Sequence, residues 1–320
     1  MKTRRNFLSQ SAGATALGAL GGAVTEAQAA IPICDTHQHL WDLTKFKLPW
    51  TGSVPALNKS FVTKDYLEAT RGLGVTKTIY MEVDVEAAQQ VAEAEYVTGL
   101  CKERGNPMHA AVIAGRPASS DLRAYLDRFK NNPFIKGVRQ VIHVPSTPAG
   151  YCLQPDFIKG VRLLGERGLS FDICIRSAEL KDAAKLVDAS PDTRFILDHC
   201  GNPMVKNHDR GQSDEHKRWA DDLHAVAQRK HVVCKVSGIL DKANPGWTVD
   251  DLGPIVLHVL RSFGPNRVMF GGDWPVVTLG GTFQSWVDAV RWIVRDASLA
   301  EQRKLFHDNA VGFYGLKEKK

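Results

Sequence analysis

The sequence predicts a single (β/α)8 barrel, and three observations carry that prediction. Eight apolar, β-branched runs alternate with eight helix-like stretches over almost the whole chain. The ends of the first, sixth and eighth runs concentrate histidine and aspartate, and strand ends are where a barrel keeps its reactive groups. No G-x-G-x-x-G turn follows an early strand, so the nucleotide-binding form of an open doubly wound sheet has no support.

The first 29 residues stand apart from this pattern. Arg4-Arg5-Asn6-Phe7-Leu8 is a twin-arginine pattern, a weakly apolar run spans residues 11–24, and Ala27-Gln28-Ala29 is a small-x-small cleavage site. The run is short and glycine-containing, which argues against a membrane anchor. The expectation is a bacterial protein exported folded to the periplasm, with residues 30–320 as its barrel. The leader carries Lys2, Arg4 and Arg5 against Glu26, so about +4 of the formal +6 remains on the mature chain. Part of that lies in a tail, Lys317, Lys319 and Lys320, expected to fray. No basic block interleaved with aromatics exists, which excludes a nucleic-acid partner, and no further segment is suited to span a bilayer.

The expected strands are Ile33–His39, Thr76–Val83, Met108–Gly115, Phe134–Ile142, Leu169–Ile175, Arg194–Cys200, His231–Ser237 and Arg267–Trp274. The helices between them are expected near residues 65–73, 85–104, 119–130, 154–167, 178–189, 214–228, 249–262 and 282–295. Ser119 or Asp121 is a candidate cap, and Arg71-Gly72 and Arg167-Gly168 read as helix ends. Residues 43–59, with Pro49, Trp50 and Pro55, form a long loop after the first strand, over the mouth of such a barrel. Of the six cysteines, Cys34, Cys174, Cys200 and Cys234 fall in predicted strands and read as small buried residues. Spacing does not pair them.

In the first strand, alternation puts Asp35, His37 and His39 on one face. Glu82 ends the second strand, Arg139 the fourth, His199 the sixth and Asp273 the eighth. Each has an ordinary structural use alone; three histidines and an aspartate on one rim form a site suited to metal binding, carbonyl polarisation or proton relay.

Asp35-Thr36-His37-Gln38-His39-Leu40-Trp41, Leu197-Asp198-His199-Cys200-Gly201-Asn202-Pro203, Cys234-Lys235-Val236-Ser237-Gly238 and Phe270-Gly271-Gly272-Asp273-Trp274-Pro275 together resemble the amidohydrolase superfamily. More narrowly, they resemble its lactonase-rich branch, which includes fuconolactone, rhamnonolactone, muconolactone and pyrone dicarboxylate hydrolases. The resemblance covers the whole mature chain. It implies that Asp273 activates water while His37, His39 and His199 polarise the carbonyl of a small-molecule lactone. It also implies that His37, His39 and Asp273 would be the ligands if a divalent cation such as zinc is bound. Two superfamily features are absent: no lysine ends the fourth strand and no histidine stands in the fifth. Their absence favours lactone opening without a required metal over a two-metal site or a zinc-dependent decarboxylase. Arg139, Glu82, Trp41 and Trp274 are the substrate-contact candidates. One strand-end arginine favours a neutral, sugar-derived lactone over a carboxylated one. Oligomeric state has no signature in the sequence.

Overall fold

The computed structural model describes residues 26–206 and 213–319. Most of the proposed leader, residues 1–25, lies outside these. Residues 26–29 form one helical turn.

All eight expected strands are present: β1 (Ile33–Gln38), β2 (Val75–Met81), β3 (Met108–Ala114), β4 (Ile135–Val141), β5 (Ser170–Cys174), β6 (Arg194–Leu197), β7 (Val232–Val236) and β8 (Val268–Phe270). They pair in parallel in the order β1 to β8, and helices at Thr63–Ala69, Gln90–Lys102, Leu122–Asp127, Pro155–Glu166, Leu180–Ala189, Asp214–Ala227, Val249–Phe263 and Phe283–Ile293 alternate with them. This is a (β/α)8 barrel. The sixth and eighth strands stop several residues before their expected ends, because His199 enters a tight 3-10 turn and the β7–β8 ladder ends with the bond from Gly271 N to Val236 O.

The barrel closes between β8 and β1 through the backbone of the candidate site itself. Asp273 N donates to His37 O and His39 N donates to Trp274 O, both at 2.8 Å. One buried side chain sews this seam. Asp35 Oδ1 accepts from Gly272 N (2.6 Å) and His37 N (3.0 Å), while Oδ2 accepts from Tyr66 OH (2.8 Å). The expectation that Asp35 shares a face with the two histidines is corrected here. Asp35 pairs with Thr78 and Gln38 with Tyr80, so three steps of β1 face two of β2. That bulge turns Asp35 outward to the helix bearing Tyr66 and leaves His37 and His39 facing the interior.

A closing run, Leu299–Arg303, Lys304–Asp308 and Asn309–Tyr314, escaped the sequence reading. Ala310 and Tyr314 pack with Cys34, Ile79, Met81, Val112, Ile196 and Met269, plugging the barrel at the N-terminal ends of the strands. Up to Lys319 the tail is docked rather than frayed: Lys319 Nζ donates to Asn106 O (2.6 Å) and Lys77 Nζ to Glu318 Oε1 (2.7 Å), while Lys320 lies outside the described residues. All six cysteines are buried free thiols.

Replacing Asp35 by alanine strips three donors of a buried charged acceptor. The expected loss is at least about 3 kcal/mol, at roughly 1.5–3 kcal/mol per charge-assisted bond. Urea unfolding of Asp35→Ala checks it, and a midpoint equal to wild type refutes the seam's importance.

Candidate active site

At the C-terminal rim the strands leave a cavity of about 240 Å3. Its floor holds His39, Arg139, His199 and Asp273; Trp41, Trp50, His143, Asn202, Asp241 and Lys242 wall it. Trp50 comes from the long loop after β1, which folds as two 3-10 turns, and its Nε1 donates to Val83 O (2.8 Å).

The reactive cluster is tight. Asp273 Oδ1 is 3.3 Å from His39 Nε2 and 3.6 Å from His37 Nε2, and the His37 and His199 ring centres are 4.4 Å apart. Partners on the far edges fix the tautomers. His39 Nδ1 lies 2.9 Å from Met81 O, and a carbonyl only accepts, so Nδ1 carries the proton and Nε2 presents a lone pair to Asp273. His37 Nε2 lies 3.3 Å from Arg139 Nη1, which only donates, so its proton sits on Nδ1, 3.6 Å from Asp198 Oδ1. Burial drives His39 down to about 4, with Arg139 adding to it. Burial, with Lys235 next, holds His37 well below the usual imidazole range. Both rings are therefore neutral, with acceptor edges toward Asp273. Burial lifts the Asp273 carboxyl to about 7, against the pull of Lys242 and Arg139. A proton between Asp273 Oδ1 and His39 Nε2 satisfies both atoms.

This geometry changes the part expected of two histidines. A neutral ring showing a lone pair donates nothing to a carbonyl oxygen, so His37 and His39 are built to accept protons or bind a cation. The charged donors facing the cavity are Arg139 and Lys242. Arg139 spends Nε and one Nη2 hydrogen on Glu82 (2.7 and 2.6 Å) and one Nη1 hydrogen on His37, which leaves two N–H groups. Lys242, which follows β7 in a loop and donates to Asn202 Oδ1, was missed because no strand end marks it.

Below this layer lies a buried charge ladder that sequence reading also missed. Lys235 Nζ is 2.5 Å from Asp172 Oδ2 and 3.2 Å from Asp198 Oδ1. Burial raises the Asp172 carboxyl to about 7 even beside Lys235. For Asp198, burial acts upward, but Lys235, His199 and Arg139 together hold it below the ordinary carboxylate value. His199 is seated by β7: its Nδ1 is 3.1 Å from Ser237 Oγ, and a Cβ on Gly238 would fall 2.0 Å from that nitrogen.

Two expected substrate contacts are not brought to the cavity. Glu82 is fully buried as the partner of Arg139 and of Asp84 N. Trp274 packs edge-on against Phe61 and Tyr66 in the helix layer, because the turn after Asp273 swings it outward. Trp41 and Arg139 do line it.

For a metal, donor atoms of His37, His199 and Asp273 lie within 4.8 Å of one another, all buried. His199 thus takes the place expected for His39 in that trio. The acceptor edge of His37 and the Asp273 carboxylate give a donor set that fits a divalent cation.

The sequence profile of the amidohydrolase family matches residues 34–316. With the barrel and this rim, that makes the chain a member of the amidohydrolase family of hydrolases. Among relatives, an uncharacterized protein of Sinorhizobium fredii is 28% identical over 89% of this chain and 98% of its own. The L-fucono-1,5-lactonase of Burkholderia multivorans is also 28% identical, over 89% of this chain and 96% of its own. A crystal structure of a Burkholderia multivorans amidohydrolase with bound zinc superposes with a TM-score of 0.78 at 22% identity, covering 89% of this chain and all of that one.

Gly238→Ala tests the seating of His199. Its φ is +57°, so alanine is strained there and its methyl displaces the ring. Hydrolytic activity should fall about a hundredfold, as for a misplacement near 1 Å. A folded variant with full activity would refute that seating.

Proposed function

We propose that this protein hydrolyses a lactone, most naturally one derived from a sugar. One observation carries the reading: a carboxyl poised near neutrality, Asp273, lies against acceptor imidazole edges at the floor of a single-ring-sized cavity. The two named L-fucono-1,5-lactonases, at 28% and 23% identity, support the substrate class.

The chemistry follows from the donors and acceptors in place. The lactone ring lies against the Trp41–Trp50 wall, with its carbonyl oxygen toward the Arg139 guanidinium and the Lys242 ammonium. Ionised Asp273 takes a proton from water as the oxygen attacks the carbonyl carbon, and His39 Nε2 is the neighbouring acceptor. Arg139 and Lys242 hold the oxyanion. When the ring C–O bond breaks, Asp273 returns the proton to the departing alkoxide, so one water is consumed and one hydroxy acid is formed. A divalent cation, when held by His37, His199 and Asp273, would supply Lewis-acid polarisation of the carbonyl. Proton transfer through Asp273 does not require it.

Lys242 gives a second reading its footing. One cation, Arg139, stands at a strand end, but the cavity holds a second, Lys242, and the pair suits a lactone bearing a carboxylate. Decarboxylation has no such support. β5 offers no imidazole, and its inward Asp172 is committed to Lys235.

Proton release over a panel of aldonolactones and carboxylated lactones tests these readings, with and without chelator. Turnover of at least one is expected, with Asp273→Asn slowing it about 10²–10⁴-fold. Equal turnover by that variant defeats the assignment of Asp273. Activity abolished by chelation and restored by zinc defeats the metal-free reading alone.

The pH profile has a determined sign. The active base is the ionised form of a carboxyl raised to about 7. In chelator-treated protein kcat/KM should therefore rise with pH through a midpoint near 7. A limb complete by pH 5 would assign the base elsewhere.

A further inference from the structure

At the end of the barrel away from the active rim lies a second and larger hollow, of about 450 Å3. It opens between the starts of β4, β5 and β6 and residues 312–315 of the closing run. Leu126, Phe129 and Phe313 give it apolar walls, while its charged lining is one-sided. Lys130, Lys136, Arg167 and Arg194 line it, and among the described residues no carboxylate does. Asp127, outside that lining, pairs with Arg167 at 2.6 Å and also feels the charge of Lys130. The Lys136 ammonium has no hydrogen bond or ion pair among the described residues. Burial, with repulsion from Arg194 and Lys317, pulls it below the usual lysine range. Arg194 is braced in place. Its Nη1 donates to Phe313 O (2.6 Å), its Nη2 donates to Gly168 O (3.3 Å), and its guanidinium lies 4.8 Å from the Phe313 ring centre. Two of its five N–H groups are thus spent, and the other three are held in a fixed planar fork.

We propose that this basal hollow binds a small organic dianion, a phosphate monoester or dicarboxylate carried on an apolar ring. Volume and lining together select that class. A concave site with apolar walls and a few placed polar groups is the usual make-up of a small-molecule pocket. Arg194 offers an oxyanion a forked grip, and Lys130 and Lys136 add point charges beside it. Phe129 and Phe313 supply surface for an uncharged ring. Arg167 is already answered by Asp127, so three cations remain, and one negative charge would leave them in net repulsion. An adjoining hollow shares Lys136 and Gly315 and adds Lys102, Arg104, Lys317 and Lys319 against Glu103 and Glu318. Its excess of positive charge draws anions toward the opening. The basal hollow shares no residue with the rim cavity and does not rest on the lactone reading.

Calorimetric titration of the full-length protein with phenyl phosphate and with phthalate tests the proposal. Because the rim has cations of its own, Lys242→Ala is titrated alongside wild type. At least one probe should bind saturably, more weakly as salt rises, and with equal affinity in Lys242→Ala. Lys136→Gln should weaken that binding at least about tenfold, the loss of one charge-assisted contact, and Lys130→Gln should weaken it too. Benzyl alcohol, a ring without the charge, should not saturate the site. Circular dichroism checks the fold of each variant, and the exposed Lys130 position keeps the test open should Lys136→Gln misfold. Failure of both dianions to bind overturns the proposal, as does binding of benzyl alcohol as tight as theirs. Binding unchanged in folded variants at Lys130 and Lys136 overturns it as well. Binding lost in Lys242→Ala places the anion at the rim and overturns it equally.

Discussion

The active rim depends on one buried carboxylate that touches no substrate. Asp35 closes the barrel where β8 meets β1, accepting from Gly272 N, His37 N and Tyr66 OH. Burial raises its own pKa despite those donors, so the seam keeps a charge in an expensive place. The return is positional. With Gly272 and His37 tied to one carboxylate, Asp273 N reaches His37 O, and base and imidazole become neighbours through backbone rather than through flexible side chains. The β1 bulge belongs to the same device, because it lets Asp35 face outward while His37 and His39 face in.

Beneath that seam the charges are layered so that each fixes the state of the next. Lys235 bridges Asp172 and Asp198; Asp198 stands beside the protonated edge of His37; Arg139, held by Glu82, sets the opposite edge. Removing a single partner would leave an uncompensated buried charge, which makes the ladder costly to break even though its net contribution to stability is modest. Its value lies in specifying tautomers. Neutral imidazoles with outward lone pairs are what both a proton-accepting base and a cation site require, so the same ladder prepares the rim for either.

The barrel was legible in the sequence because eight periodic runs and four strand-end motifs agree with one another. His37, His39, His199 and Asp273 stood at strand ends and do converge. What escaped notice has physical causes. A one-residue bulge leaves no mark in alternation, so Asp35 looked like a third member of the histidine face. Lys235 and Asp172 sat inside apolar strands, where a pattern reader expects core; only their mutual pairing makes burial tolerable, and pairing across strands is invisible in one dimension. Lys242 lies in a loop whose path depends on the closed barrel. Glu82 and Trp274 were misjudged in the opposite direction, since adjacency to a motif does not fix which way a side chain turns. The tight turn at Asp273 sends Trp274 into the helix layer.

Among the described residues, the non-glycine positions with left-handed backbone are Asp84, His199, Cys200, Asn202 and Asp273, and four of these line the cavity. Such conformations cost about 1–2 kcal/mol each, less for aspartate and asparagine, and persist only where the surroundings over-determine them. Here they are over-determined: Asp273 by the seam, His199 by Ser237 and the missing Cβ of Gly238, and Asn202 by bonds from Lys242 and to Ile175 O. A strand that simply continued would point alternate side chains up and down the barrel wall. Breaking out of β6 and β8 into left-handed turns instead aims His199 and Asp273 across the mouth at one another. The strain is thus the means by which two distant strands present one cluster. It also explains why the inward aim of His199 and Asp273 cannot be read from strand periodicity, because they stand where that periodicity has been interrupted.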